Sequence, residues 1–329
     1  MKVALLYNPR PQGVAGGLPD DAFEEFDSPQ TIDAIRRALC ALGVDVEPVI
    51  ADRRLAQRLE AGSFDFAFNI AEGTGRRCRE AVAAAACELL ELPYTGSDAL
   101  TLAVTLDKAV ARRLVSPDVP VAPAVLISSA RDLAQLERLR YPVIVKPNDE
   151  GSSKGIREDA IAVDCAAARE KAERLRATYG CPVLVEEYLS GPEVTVGIIG
   201  NGAPAEILGI MEIAPAGDAA RFVYSIEVKR DWRRRVCYHV PPRLPPAVID
   251  TLRDLARRAY ELLGCRDFAR LDFRLDAFGS PHFLECNPLP GLDPENSDLV
   301  IMARPHTTHE ELVQRIFREA AARTGVRLP

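Results

Sequence analysis

Short apolar runs alternating with amphipathic stretches govern what this chain can fold into. Residues 3–7 form the first such run. Asn8-Pro9 breaks it too soon for a signal peptide, so it reads as a buried strand. Residues 8–20, rich in Gly and Pro, form a loop. Asp27-Ser28-Pro29 supplies an N-cap with Pro near the first helical position, a helix over 31–42 follows, and Gly43 ends it. Residues 44–50 and 64–70 read as strands, and 80–90 as an Ala-rich helix. This strand–helix–strand order predicts a mostly parallel sheet, hence an α/β fold.

The pattern shifts near residue 97. A helix is expected over 97–116, then strands over 121–127 and 143–145 around a helix at 130–139. Strands at 183–187 and 193–200 lead into a last module, with a helix over 246–263. Strands at 268–275 and 282–286 are joined by the turn-type residues Asp276-Ala277-Phe278-Gly279, and a helix over 310–322 closes the chain. A length of 329 residues suits two or three modules sharing a core. Apolar residues at 47% and charged residues at 27% predict a soluble globular protein. The net charge of −7 argues against nucleic acid, and no run approaches the ~18–20 apolar residues of a membrane span. Eight cysteines without a C-x-x-C pair read as reduced cytosolic thiols, and four scattered histidines give no zinc spacing.

The strongest chemical signal is Arg270-Leu271-Asp272 followed by Glu285-Cys286-Asn287. Residues i and i+2 of a strand share a face. Two adjacent strands would therefore gather two carboxylates, an amide oxygen and a guanidinium, and hard oxygens suit Mg²⁺. The plainer alternative is the polar outer face of a hairpin. Against it, the segment is otherwise apolar and runs into Leu289-Pro290-Gly291, where a glycine amide can approach a ligand closely. Lys146 ends an apolar strand, where a charge needs a partner. The small-residue loop Gly151-Ser152-Ser153-Lys154-Gly155 offers backbone amides to phosphates, although it is not a P-loop. Glu186-Glu187-Tyr188-Leu189 and Glu193 end an apolar strand and its turn, a suitable edge for a nucleotide. Lys108 on a helix has no weight alone.

Together and in order, these segments resemble the D-alanine–D-alanine ligase family of the ATP-grasp superfamily, from about residue 64 to about 304. The matching blocks are Pro93-Tyr94-Thr95-Gly96-Ser97, Leu106-Asp107-Lys108, Pro142-Val143-Ile144-Val145-Lys146-Pro147, Glu150-Gly151-Ser152-Ser153, Leu189-Ser190-Gly191-Pro192-Glu193, Ala269-Arg270-Leu271-Asp272 and Leu284-Glu285-Cys286-Asn287 with Pro290-Gly291. The resemblance implies an ATP-grasp fold: an N-terminal α/β substrate domain over 1–100, a central subdomain over 101–182 and a C-terminal subdomain over 183–329. It implies an ADP-forming carboxylate–amine ligase that uses ATP and Mg²⁺ (or Mn²⁺), works in the cytoplasm on small amino-acid or carboxylate substrates, and forms a homodimer. By position, Lys108 and Lys146 are similar to phosphate-holding lysines, with Ser152 and Ser153 in the covering loop. Glu186 to Leu189 match the adenine edge, Glu193 the ribose ligand, and Asp272, Glu285 and Asn287 the metal ligands. Arg270 and the Gly291 amide match the oxyanion stabilisers, and Lys229 the γ-phosphate lysine of a mobile loop. Loops 150–155 and 224–236 are expected to close over the site.

The substrate half departs from the family. Glu72 stands where the family carries a histidine, and Arg76, Arg77 and Arg79 crowd the next turn. The early Gly-Gly-x-Ser-x-Glu stretch is missing. Residues 229–235 are strongly basic, and Ser297 is the candidate contact for a second carboxylate. Read as functional, the arginines predict a substrate larger or more acidic than D-alanine; otherwise they are a solvated charge run. The alternatives left open are a ligase for another amino acid, peptide or acidic metabolite, and a non-catalytic ATP-binding module.

Overall fold

The computed structural model describes residues 1–11, 18–75, 77–202, 205–217 and 221–329. Its strands form three sheets. The first is parallel, in the order β2 (Asp45–Ile50), β1 (Lys2–Tyr7), β3 (Phe66–Asn69). Ser28 caps helix Pro29–Cys40 by accepting from the Thr31 amide, with Pro29 at the first turn. This helix and the last one, His309–Thr324, cover one face of the sheet, where Phe66 and Phe317 meet edge-on at 5.1 Å. Helices Leu55–Gly62 and Ala81–Leu89 cover the other face. The chain thus ends where it began: Gln314 donates to the Ala38 carbonyl at 3.0 Å.

The second sheet is antiparallel, ordered β4 (Ala124–Ile127), β7 (Val183–Glu187), β5 (Val143–Pro147), β6 (Ile161–Ala162). Because β7 belongs to it, this sheet runs past a boundary at residue 182. The third is a five-stranded antiparallel sheet. Its order is β10 (Val236–His239), β9 (Glu206–Pro215), β8 (Glu193–Ile199), β11 (Phe268–Leu275), β12 (Pro281–Asn287). Gly197 and Gly209 pair across β8 and β9. A Cβ on either would lie 2.9 Å from helix Asp298–Ala303, touching Leu299 or the Met302 carbonyl. Their missing side chains let that helix lie against the sheet.

Several elements differ from expectation. The helix expected over 97–116 is two helices, Ala99–Leu106 and Lys108–Val115, broken at Asp107. Asp107 is extended, caps the Val110 amide, and accepts from Asn148 at 2.8 Å, while the Lys108 amide bonds the Asn148 carbonyl. The helix over 130–139 is a 3₁₀ helix, Ala130–Arg138. Residues 224–236 contain helices Ile226–Arg230 and Trp232–Arg235 rather than an open loop. Helix Cys165–Tyr179 escaped the sequence reading because it buries only Ala168 and Ala172, leaving little apolar periodicity. Among the described residues no helix is long and apolar enough to cross a membrane.

Candidate active site

Two adjoining cavities lie among the three sheets. The smaller, about 90 Å³, is bordered by Lys108, Lys146, Glu186 to Leu189, Glu193, Asp272 and Glu285. The larger, about 530 Å³, reaches from Arg270, Asn287 and Gly291 to Glu72, Glu80 and Asp27. Ser152, Tyr224, Lys229, Arg270 and Asp298 border both.

The hairpin β11–β12 builds the seam between them. Its register sets Arg270 opposite Asn287 and Asp272 opposite Glu285, with the irregularity falling only beyond Asp272. Arg270 grips Asp272 at 2.8 Å and Asp298 at 3.2 Å, so its guanidinium is fixed from two elements. Asn287 donates its amide nitrogen to Asp272 at 3.0 Å, which leaves its carbonyl oxygen free to turn elsewhere. Thr195 donates to the other side of the same carboxylate at 2.6 Å. Burial pushes the Glu285 carboxyl up, but Lys108, Lys146 and Arg270 outweigh it and hold it at about 2. Two carboxylates and an amide oxygen on one face are a hard-oxygen donor set that fits Mg²⁺, with phosphate oxygens and water needed to complete six ligands.

Each buried lysine is already neutralised. Lys108, 4% exposed, lies 3.1 Å from Glu285 and donates to the Glu150 carbonyl at 2.5 Å. Lys146 lies 2.5 Å from Glu186, which also pairs with Arg112 at 2.8 Å. Glu187 turns away and accepts from the Arg140 amide at 2.9 Å. Glu193 pairs with Arg274 at 3.1 Å, yet burial outweighs that partner and lifts its carboxyl to about 7. Arg274 also bonds the Tyr188 hydroxyl at 2.8 Å and stacks over its ring. Arg112 and Arg274 were missed by sequence reasoning. Both had a signal: Arg112 is four residues past Lys108 on one helical face, and Arg274 continues the alternation of Arg270 and Asp272.

The covering loop is closed. Ser152 and Ser153 both adopt left-handed backbone (φ 50° and 59°), a cost that surrounding bonds must offset. Those bonds come from two sides: the Gly151 amide to Glu25 at 2.7 Å, the Gly155 amide to Asp21 at 2.9 Å, and the Ser153 hydroxyl to the Tyr224 carbonyl at 3.0 Å. Gly291 packs close to Ser297, whose hydroxyl is held by the Asp293 amide at 2.8 Å. Ser297 therefore lines the larger cavity with its oxygen already occupied by backbone. Lys229 borders both cavities and, among the described residues, forms no ion pair.

The substrate arginines sit differently. Arg76 lies outside the described residues. Arg77, exposed, pairs with Asp107 at 2.8 Å. Arg79 is buried against Glu25 at 2.8 Å and donates to the Asp149 carbonyl at 2.7 Å. It ties the covering loop to the N-terminal unit instead of bordering the larger cavity. Glu72 and Glu80 do border it, and neither has a hydrogen-bond partner among the described residues.

Comparison with known proteins bears on this arrangement. A family model described as "D-ala D-ala ligase C-terminus" matches residues 117–318. The chain is 35% identical over 294 residues to the D-alanine–D-alanine ligase of Bordetella petrii, covering 88% of this chain and 86% of that protein. It is 31% identical over 312 residues to the enzyme of the same name from Actinobacillus succinogenes, covering 93% and 97%. Among solved structures, D-alanine–D-alanine ligase from Bacillus anthracis complexed with ATP matches with a TM-score of 0.74 at 20% identity, over 99% of both chains. VanG D-Ala:D-Ser ligase from Enterococcus faecalis matches with a TM-score of 0.72 at 19% identity, over 97% and 99%.

Proposed function

The chain belongs to the D-alanine–D-alanine ligase family, and from that premise we propose that it joins a carboxylate to an amine at the expense of ATP, through an acyl phosphate formed where its two cavities meet. The observation that carries this reading is the hairpin register that aligns Arg270, Asp272, Glu285 and Asn287 at that seam.

ATP occupies the smaller cavity, its base against Glu186 to Leu189 and its ribose by Glu193. Lys108 and Lys146, each now balanced by a buried carboxylate, turn part of their charge to the phosphates. Asp272, Glu285 and the Asn287 carbonyl would hold Mg²⁺, which would supply charge neutralisation at the transferring phosphoryl group. The acceptor carboxylate lies in the larger cavity beside Lys229. Once the carboxylate has taken the γ-phosphoryl group and released ADP, the neutral amine attacks the carbonyl carbon, and the C–O bond to phosphate breaks as inorganic phosphate leaves and the amine loses a proton. Arg270, immobilised between Asp272 and Asp298, and the Gly291 amide stabilise the oxyanion without having to reorganise. Ser152 and Ser153 cover the phosphates, and the closed loop keeps water from the acyl phosphate.

The test is phosphate release from ATP and Mg²⁺ with single amino acids and with pairs, D-alanine included. ADP should form only when both an acid and an amine are present, and Arg270→Met should lower kcat by about a hundredfold or more. ATP hydrolysis that ignores both substrates, or none with any pair, would overturn the reading.

A further inference from the structure

Charge pairing in the larger cavity is uneven. Arg230 is bound by Asp20 at 2.8 Å and Glu24 at 3.0 Å, Arg233 by Glu295 at 3.1 Å, and Arg270 by Asp272 and Asp298. Arg235 pairs with Glu158, and Arg77 and Arg79 are matched as described. Of the basic stretches that favoured an acidic substrate, Arg77, Arg79, Arg230, Arg233 and Arg235 are thus paired with the protein's own carboxylates. What remains in the cavity without an ion-pair partner among the described residues is Glu72, Glu80, Asp27 and Asp293, against Lys229 alone.

Glu80 is 8% exposed and opens on the cavity. It stands in helical backbone at the start of helix Ala81–Leu89 and makes no cap bond. Glu72 lies within its electrostatic reach, Glu25 acts on both acids and Asp27 on Glu72; Arg79 acts on both and Lys108 on Glu80, but neither cation forms an ion pair with them. Glu25 is satisfied by Arg79 and Lys154. A buried carboxylate with neither a hydrogen bond nor a direct ion pair is costly, and a ligand bearing both donors and positive charge lowers the cost. The α-ammonium of an amino acid brings one charge, fewer than these acids can balance. At about 530 Å³ the cavity falls within the ~300–1,000 Å³ typical of ligand sites and leaves room for a long side chain.

We propose that the amino-acid substrate is dibasic, with the ammonium or guanidinium of its side chain seated between Glu72 and Glu80 and Asp27 completing the negative wall. This rests on the ligase reading for the reaction and on the unpaired acids for the substrate class.

Lysine and norleucine, as both enantiomers, separate charge from length. With ADP and Mg²⁺ present, calorimetric binding of one lysine enantiomer should be roughly tenfold to a hundredfold tighter than that of norleucine, the size of one charge-assisted hydrogen bond. Glu80→Gln, and independently Glu72→Gln, should bring that ratio towards unity while norleucine affinity holds. Either variant suffices if the other does not fold. Equal binding of lysine and norleucine, or a preference that survives both substitutions, would overturn the proposal. Lysine that binds through Glu80 but supports no phosphate release with any amine would instead defeat the ligase reading and leave this one standing.

Discussion

At the residue scale, Gly291 shows how little slack the site has. A Cβ there would sit 2.9 Å from the Ser297 hydroxyl oxygen but 3.8 Å from its Cβ. The clash is therefore with one atom, and that atom is pinned by the Asp293 amide. Gly291→Ala should cost about 1–3 kcal/mol in urea denaturation, the usual range for overpacking. Adding Ser297→Ala should recover most of the loss, because the remaining contact is ordinary. Wild-type stability for the single variant would show that the loop shifts freely. The same scale explains why Lys108 and Lys146 are bearable when buried: each has an acid within 3.1 Å.

At the scale of elements, helix Ile226–Arg230 is held down by charge. Arg230 reaches Asp20 and Glu24, and Arg157 reaches Asp20, Asp21 and Glu227. These pairs join the N-terminal unit, the loop after β5 and the helix that carries Lys229. Being partly exposed, each contributes at most about 1 kcal/mol and is weakened by salt. Arg230→Ala should speed amide hydrogen exchange in residues 221–231 about fivefold, as should raising salt for the wild type, while β11 and β12 stay protected. Unchanged exchange would show that apolar contacts of Ile226 and Val228 hold the helix alone. Much at this scale was legible beforehand. The hairpin β11–β12 followed from alternation and a turn, and the Ser28 cap from local chemistry. The break at Asp107 was not legible, because the bonds that favour it come from Asn148, far along the chain.

At the scale of the whole molecule, the cavity acids couple stability to pH. Burial is the main force lifting the Glu80 carboxyl to about 7; Arg79 and Lys108 oppose it, and Glu25 and Glu285 reinforce it. Glu72 is raised as well, again chiefly by burial and then by Glu80. The folded state therefore holds a proton at Glu80 that the unfolded chain, with a value near 4.5, has released. Where the folded state binds more protons, stability falls as pH rises. The loss begins near pH 4.5 and is complete above about 7. Glu80→Gln should match the wild type near pH 4 and exceed it at pH 8 by on the order of 3 kcal/mol. A gap that does not change with pH would show that Glu80 is solvated or paired in the folded chain.

The amino-acid sequence by itself determined the α/β class, the ordered blocks of an ATP-grasp ligase and the face shared by Arg270 and Asp272. The class and the shared face depend on local period, cap and turn chemistry, which neighbours a few residues apart decide, and the blocks on resemblance to a known family. Only the tertiary structure decided which charges are spoken for. A run of arginines reads as one basic surface, but Arg79 meets Glu25 and Arg230 meets Asp20 across long stretches of chain. Pairing between such distant residues is a matter of distance in space, and no local spacing along the sequence encodes it. Folding paired Arg77, Arg79, Arg230, Arg233 and Arg235 with the protein's own acids and left Glu72 and Glu80 in the cavity without an ion pair among the described residues.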